Sequence, residues 1–173
     1  MTFLVLGGSA CGKSEYAERI VQSFPSPRVY IATMQPYGDE GRERVQKHRA
    51  MREGKGFTMI ERYKDLSGLI LPQRGTVLLE CIGNLTANEM FSADCEKDPT
   101  DVVIGGITHL KNQCENLIIV TNETGSDGNI YDEATERYIK ALGRINAALA
   151  LFSDCVYEVV AGIPVCHKGD FII

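Results

Sequence analysis

The sequence predicts an α/β domain in which an open, mostly parallel β-sheet carries helices on both faces. Short runs of apolar and β-branched residues alternate with longer stretches of helical composition, which is the order expected when each strand is followed by a crossover helix. Three of the runs, at 76–82, 116–121 and 155–161, are apolar with little alternation. Continuous apolar character is typical of strands that are buried on both faces of a parallel sheet.

The predicted elements follow one another without an internal repeat, a low-complexity tract or a linker. Apolar runs predict strands, and longer stretches rich in helix-forming residues predict helices. The predicted strands are 2–6, 28–33, 57–61, 76–82, 116–121 and 155–161, the last clear strand of the chain. The predicted helices are 13–24, 39–53, 84–91, 100–114 and 131–152, with a turn or short helix at 65–71. The acidic segment 92–101 carries Pro99, which indicates a loop rather than a domain boundary.

Length and composition fit one globular domain, predicted over residues 1–173. The chain has 44% hydrophobic and 24% charged residues, which is ordinary for a globular protein. No apolar run approaches the roughly 18 residues that a membrane span needs.

The N-terminal residues lack the basic region and long apolar core of a signal peptide, so we expect a cytoplasmic protein. The net charge of −5 argues against a general nucleic-acid binder, which carries a basic footprint.

The six cysteines show neither a disulfide framework nor the paired short spacing of a zinc site. Cys81, Cys114 and Cys155 lie in or beside apolar runs and are predicted to be small core residues. His109 and His167 have no neighbours that indicate chemistry, and we predict structural roles for both.

Residues 7–14 match the phosphate-binding pattern G-x-x-x-x-G-K-[ST] in full, between a predicted strand and a predicted helix. Glycines let the backbone curl so that successive N–H groups point at phosphate oxygens, and the helix N-terminus adds partial positive charge. Lys13 is expected to contact the β- and γ-phosphates, and the Ser14 hydroxyl to ligate Mg²⁺. The sequence therefore predicts a P-loop nucleotide-binding domain. Its predicted nucleotide-binding residues are Gly7, Gly8, Ser9, Ala10, Cys11, Gly12, Lys13 and Ser14.

A P-loop needs a second carboxylate to hold or orient the metal, and Glu80 is the first candidate. It ends the apolar run 76–80, at the edge of the sheet where ligands gather in folds of this kind. Aspartate is the usual residue there, and the alternative interpretation is a carboxylate exposed where the strand ends. Glu123 is a second candidate at a strand end, in a segment that also has the composition of an ordinary loop.

The predicted helix 39–53 has only two sizeable apolar side chains, so it cannot dock through a wide hydrophobic face. It carries Arg44, His48 and Arg52 at i, i+4 and i+8, close to one face. The flanking guanidiniums disfavour the imidazolium form, so we expect His48 to be neutral and nucleophilic. Arginines at these positions suit a phosphorus centre that gathers negative charge. Taken alone, the pattern also fits a solvated surface histidine.

These motifs together resemble one family, the bifunctional adenosylcobinamide kinase/adenosylcobinamide-phosphate guanylyltransferases of cobalamin biosynthesis. The P-loop is shared by many families, whereas the ordered set of motifs is much more specific. The resemblance covers essentially the whole chain. It rests on the P-loop, Arg44-Val45-Gln46-Lys47-His48-Arg49, Leu78-Leu79-Glu80-Cys81-Ile82 and the stretches 120–125, 143–146 and 159–164.

The resemblance implies a two-step enzyme that uses GTP and ATP with Mg²⁺. A nucleoside triphosphate first phosphorylates the aminopropanol hydroxyl of adenosylcobinamide. A histidine, which by motif position is His48, then attacks the α-phosphorus of GTP and carries GMP to adenosylcobinamide phosphate, giving adenosylcobinamide-GDP. The family is also similar in forming a homotrimer. Lys13, Arg44 and Arg52 are the expected catalytic partners of His48, with Ser14 and Glu80 at the metal.

The P-loop departs from the family in one position, since relatives often carry arginine where this chain has Ala10. The change removes a cation near the phosphates and bears on the kinase step more than on the transferase step. We nevertheless expect both activities.

Two other interpretations stay open on the sequence. One is a P-loop kinase of another small alcohol without a covalent step, and the other is a nucleotide-responsive binding module without turnover. The sequence also leaves open which corrinoid forms are accepted and whether ATP or GTP donates in the kinase step.

Overall fold

The computed structural model describes residues 1–36, 54–92, 98–125 and 128–170, and every structural statement below refers to these ranges. The strands within them are β1 Thr2–Leu6, β2 Arg28–Ala32, β3 Phe57–Glu61, β4 Thr76–Glu80, β5 Asn116–Val120, β6 Cys155–Val160 and β7 Ile163–Lys168. The α-helices are α1 Lys13–Gln22, α2 Ile82–Met90, α3 Thr100–Gln113 and α4 Glu133–Phe152, and a short 3-10 helix spans Leu66–Gly68.

All seven described strands form one sheet in the order β3-β2-β4-β5-β1-β6-β7. The first six strands pair in parallel, and β7 runs antiparallel to β6. Helix α1 packs on one face with Phe3 and Val5 of β1, whereas α2, α3 and α4 pack on the other face with Leu4. The predicted α/β class, with a mostly parallel sheet covered on both faces, is confirmed.

The central strand β5 shows why the predicted runs lack alternation. Residues 117–120 are fully buried, and successive side chains point to opposite faces of the sheet. Leu117 and Ile119 join the core under α2, α3 and α4, while Ile118 and Val120 join the core under α1. Because both faces are covered by helices, every position of the strand has to be apolar.

The way in which helices α1 and α4 connect the strands determines where the site lies on the sheet. Helix α1 leads from β1 to β2 on one face of the sheet, and α4 leads from β5 past β1 to β6 on the other face. The two connections therefore diverge at the neighbouring strands β5 and β1. In open α/β sheets, ligands bind outside the carboxyl ends of the strands at such a switch point. The P-loop, which follows β1, lies there.

The prediction of 155–161 as the last strand was wrong, because β7 follows it as an antiparallel edge strand. The hairpin turns through Ala161 and Gly162, whose φ angles of 49° and 83° are those of a tight two-residue turn. All six residues of β7 are exposed, and Pro164 is tolerated at a sheet edge. The strand therefore has no buried face whose periodicity would reveal it.

The predicted strand 76–82 and helix 84–91 also meet at a different point. Strand β4 ends at Glu80, and α2 begins at Ile82 with Cys81 as its N-cap, where the Cys81 sulfur accepts from the Asn84 N–H. Cysteine is not among the usual capping residues, which hides this start from the sequence. Several other predicted ends differ from the structure by one or two residues. The predicted helix 39–53 lies outside the described residues.

The cysteine predictions are confirmed for Cys114 and Cys155, which are buried, whereas Cys81 is half-buried at its capping position. All five cysteines within the described ranges are free thiols. Within the described ranges, no helix combines the length and the apolar character that a membrane crossing requires.

The packing of the core predicts that Ile118 contributes strongly to the stability of the fold. Replacing this fully buried side chain by alanine (Ile118→Ala) is expected to lower the free energy of unfolding by about 2–5 kcal/mol, because the close-packed sheet cannot collapse around the cavity. Ile130 is 97% exposed, and Ile130→Ala is expected to change that free energy by less than about 0.5 kcal/mol. Urea denaturation of both variants tests the difference, and equal stabilities would contradict the assigned core.

Candidate functional site

The P-loop backbone is shaped by glycines that side chains would obstruct. Gly7 has a φ of 150°, and a Cβ built on it would lie 2.6 Å from the Val159 carbonyl oxygen and 2.8 Å from the Cys11 sulfur. Gly12 has a φ of 94°, and its Cβ would lie 3.3 Å from the Gly162 Cα. Both glycines therefore combine a left-handed or strained backbone with close packing against β6 or the turn that follows it.

The turn between β6 and β7 supports the P-loop directly. The Gly162 N–H donates to the Cys11 carbonyl oxygen at 2.8 Å. Gly162 was not predicted from the sequence as a site residue. The signal that could have found it is the Ala161-Gly162 pair between two short apolar runs, which is typical of a hairpin turn.

Helix α1 begins inside the motif and directs its N-terminus toward the loop. Gly12 is the N-cap and offers no side-chain hydrogen bond to the N–H groups of the first turn. Lys13 is only 8% exposed, and its ammonium group donates to the Gly8 carbonyl oxygen at 2.8 Å. Free N–H groups and a buried cation beside a curled backbone form a site suited to phosphate.

Glu80 lies at the same place, held by hydrogen bonds to both carboxylate oxygens. The Ser14 hydroxyl donates to Oε1, and the buried Tyr30 hydroxyl donates to Oε2 at 2.7 Å. The alternative of a carboxylate that is simply exposed at the strand end is therefore not what the structure has. Tyr30 is a further site residue that the sequence analysis missed, because nothing in an apolar strand indicates which aromatic side chain reaches a carboxylate.

The backbone that follows Glu80 is fixed by Thr33, at the end of the neighbouring strand β2. Its hydroxyl donates to the Cys81 carbonyl oxygen and accepts from the Cys81 N–H, both at 2.8 Å, and the Glu80–Cys81 peptide bond is cis. Burial raises the pKa of the Cys81 thiol, and the adjacent Glu80 carboxylate raises it further. The thiol therefore stays protonated at neutral pH and acts as a helix cap rather than as a thiolate.

The donor set at Ser14 and Glu80 fits Mg²⁺. This ion takes oxygen ligands and is usually held by one or two protein groups together with phosphate oxygens and water. A hydroxyl and a carboxylate that already meet beside the P-loop provide such a pair. Among the described residues there is no cluster of three histidine, cysteine or acidic side chains that could form a separate metal centre.

The remaining predicted residues fall into three groups. Glu123 lies beside the P-loop, where its N–H donates to the Gly7 carbonyl oxygen at 3.2 Å while its side chain is exposed. The second group is His109 and His167. Nε2 of His109 lies 3.0 Å from the Leu69 carbonyl oxygen, and Nε2 of His167 lies 2.9 Å from Oε2 of Glu158, contacts that fit structural roles. The third group lies outside the described residues and consists of Arg44, His48 and Arg52.

Comparison with known proteins identifies relatives along nearly the whole chain. The family model described as cobinamide kinase / cobinamide phosphate guanyltransferase matches residues 3–166. The chain is 32% identical to the bifunctional adenosylcobalamin biosynthesis protein CobU of Escherichia coli, over 97% of this chain and 100% of that protein. It is 33% identical to the protein of the same name from Salmonella typhimurium, with the same coverage. The protein CobP of Pseudomonas aeruginosa is 28% identical, over 98% of this chain and 99% of that protein.

A solved structure supports the fold independently. The flagellar accessory protein FlaH from Methanocaldococcus jannaschii matches with a TM-score of 0.54 and 11% identity, covering 98% of this chain and 78% of that chain. At this identity the likeness concerns the fold alone. Together with the sheet order and the loop after β1, it confirms the predicted P-loop-type α/β fold.

The packing around Gly7 predicts that Gly7→Ala destabilises the protein even without nucleotide. The new methyl group would meet the Val159 carbonyl, which is backbone and moves only with β6, so we expect a loss of at least about 2 kcal/mol in the free energy of unfolding. Gly8 has no atom within 4 Å of its Cβ position, and Gly8→Ala is expected to cost less than about 1 kcal/mol. Thermal and urea unfolding compare the two, and equal losses would refute the assigned loop geometry.

Proposed function

The chain belongs to the cobinamide kinase / cobinamide phosphate guanyltransferase family, and from this premise we propose its two reactions. It phosphorylates adenosylcobinamide, and it then transfers GMP from GTP, through guanylylated His48, to adenosylcobinamide phosphate. The product is adenosylcobinamide-GDP, and the substrates are a corrinoid and the nucleotides ATP and GTP.

The observation that carries the kinase step is the meeting of the P-loop, Lys13, Ser14 and Glu80 at one edge of the sheet. The loop N–H groups and the Lys13 ammonium would bind the β- and γ-phosphate oxygens, and Ser14 and Glu80 would hold Mg²⁺. When bound, the ion neutralises charge on those phosphates. The corrinoid hydroxyl oxygen forms a bond to the γ-phosphorus as the bond between that phosphorus and the oxygen bridging to the β-phosphate breaks. The nucleoside diphosphate leaves, and the hydroxyl proton passes to water.

The transferase step is proposed from the family motif and the helical spacing of Arg44, His48 and Arg52. A neutral imidazole nitrogen of His48 bonds to the α-phosphorus of GTP, and pyrophosphate leaves as the P–O bond breaks. A phosphate oxygen of adenosylcobinamide phosphate then bonds to the same phosphorus, and the P–N bond breaks to return neutral histidine. The covalent route thus divides the transfer of GMP into two displacements at phosphorus. In each of them the site has to position only one of the two large anionic substrates. The two arginines would stabilise the charge on the phosphoryl group in transfer.

A kinase of another small alcohol, without a covalent step, is the second candidate. One observation supports it, since Lys13, Ser14 and Glu80 meet at the P-loop and phosphoryl transfer to a hydroxyl needs no covalent carrier. The two proposals differ in whether His48 is required.

We also propose that the enzyme is a cytoplasmic homotrimer of single-domain subunits that binds no nucleic acid. The trimer follows from the family resemblance. Edge strand β7 is exposed throughout, and Ile163 and Val165 are 67% and 43% exposed, which supplies apolar surface that association would cover. The mass of the assembly by light scattering tests the proposal, and a monomer would contradict it.

Guanylylation of His48 is tested by intact mass after incubation with GTP and Mg²⁺. The parent protein is expected to gain the mass of one GMP, and His48→Ala to gain none, because the variant lacks the nucleophile. His167→Ala is the matched control, since this exposed histidine pairs with Glu158 and should leave the gain unchanged. A GMP adduct on His48→Ala would contradict His48 as the carrier and place the covalent step on another residue. No adduct on the parent would remove the covalent step and favour the kinase-only proposal.

Phosphorylation of adenosylcobinamide is predicted to depend on Lys13. Removing its buried charge in Lys13→Ala should lower the rate of phosphate transfer from labelled ATP or GTP by at least about 100-fold. Lys168→Ala is the control, because the Lys168 ammonium group donates to the carbonyl oxygens of Ala150 and Leu151 rather than to a P-loop residue. If the parent transfers GMP but does not phosphorylate adenosylcobinamide, its kinase activity has been lost. Ala10→Arg, which restores the residue that relatives often carry, would then be the first variant to test.

A further inference from the structure

A helix on the far face of the sheet is tied to the loop that follows β5. The half-buried side chain of Asn146, on α4, makes both contacts. The Thr121 hydroxyl donates to Asn146 Oδ1 at 2.7 Å, and Asn146 Nδ2 donates to the Asn122 carbonyl oxygen at 3.0 Å. The Asn146 amide thus fixes the side chain of Thr121 and the backbone carbonyl group of the next residue, Asn122.

The same loop contacts the P-loop through its backbone. The Thr121 N–H donates to the Val5 carbonyl oxygen at 3.0 Å, which extends the β1–β5 pairing, and the Glu123 N–H then donates to the Gly7 carbonyl oxygen at 3.2 Å. Asn146 is therefore joined to the first residue of the P-loop by three consecutive residues. Each residue of the series contributes a hydrogen bond.

Asparagine suits this position for a definite chemical reason. Its side chain has to accept from a hydroxyl and donate to a carbonyl group at the same time, and an amide of this length does both. Leucine has a similar volume but does neither, and it would leave the fully buried Thr121 and the Asn122 carbonyl without these partners. Residues 121–125 form no helix or strand, so their polar groups depend on contacts with other segments. The backbone of residues 5 and 7 accepts from two of the N–H groups, and the Asn146 side chain donates to the Asn122 carbonyl oxygen.

We propose that Asn146 is a positioning residue of the nucleotide site. It acts through its neighbours, because it holds residues 121–123 so that the Glu123 N–H donates to the Gly7 carbonyl oxygen and fixes the start of the phosphate-binding backbone. Loss of this contact would let the loop and Gly7 move by fractions of an ångström, which misdirects the N–H groups that follow. The inference rests on the proposed function only in requiring that the P-loop binds a nucleotide.

Measurements of nucleotide affinity distinguish a positioning role of Asn146 from a contribution to protein stability alone. We expect Asn146→Leu to raise the dissociation constant for GTP with Mg²⁺, measured by calorimetry on the full-length protein, by at least about fivefold. The matched control is Asn116→Leu. Asn116 donates to the Thr76 hydroxyl at 3.1 Å at the amino edge of the sheet, so its loss should cost stability and leave the affinity within about twofold.

A second variant removes the other partner of the same contact. Thr121→Val keeps the shape of the side chain and deletes its hydroxyl, and it should weaken GTP binding in the same direction. The effects of Thr121→Val and Asn146→Leu should be less than additive, because they act on one hydrogen bond. Unchanged GTP affinity in Asn146→Leu, at a temperature where it is folded, would overturn the inference and leave a structural contact. Failure of the parent to bind any nucleotide would overturn the proposed function as well.

Discussion

The hydrogen bond from Ser14 to Glu80 depends on the arrangement of the whole sheet. Ser14 lies in the first turn of α1, which follows β1, and Glu80 ends β4. Strands β1 and β4 are not neighbours, because β5 lies between them. Helix α1 therefore has to cross over β5 for the hydroxyl to reach the carboxylate. Its buried residues Ala17, Ile20 and Val21 pack against the apolar face below and hold the helix in that position. The core thus sets the geometry of the site.

Close packing at the carboxyl edge restricts the P-loop from three sides. The turn after β6 hydrogen-bonds Cys11, the segment after β5 hydrogen-bonds Gly7, and the end of β4 supplies the carboxylate. Each of these segments follows a parallel strand, so the sheet brings their ends to the same edge although they are far apart in the chain. These hydrogen bonds restrict the backbone freedom that binding would otherwise have to remove, which lowers the entropic cost of binding phosphate.

The sequence predicted the parts of the fold and site that depend on local pattern. The central strands were evident because burial on both faces requires continuous apolar residues, and the P-loop because its glycines and Lys13 lie at fixed spacing. Strand β7 was missed since an exposed edge has no periodicity. Tyr30 and Asn146 were missed since their roles depend on which strands and helices become neighbours. The residues proposed to transfer GMP lie outside the described ranges, so Arg44, His48 and Arg52 remain predictions from motif and spacing.

We propose that Ser14 and Glu80 act together on the metal of a bound nucleotide. A double-mutant cycle with Ser14→Ala and Glu80→Gln, read out as GTP affinity by calorimetry, tests this joint action. With Mg²⁺ present, the effects of the two substitutions should be non-additive by at least about 1 kcal/mol. With the ion chelated the coupling should change, because only the direct hydrogen bond from Ser14 to Glu80 then joins the two side chains. Additive effects in Mg²⁺, or a coupling that is the same with and without the ion, would contradict the assignment of this edge of the sheet as the metal–nucleotide site.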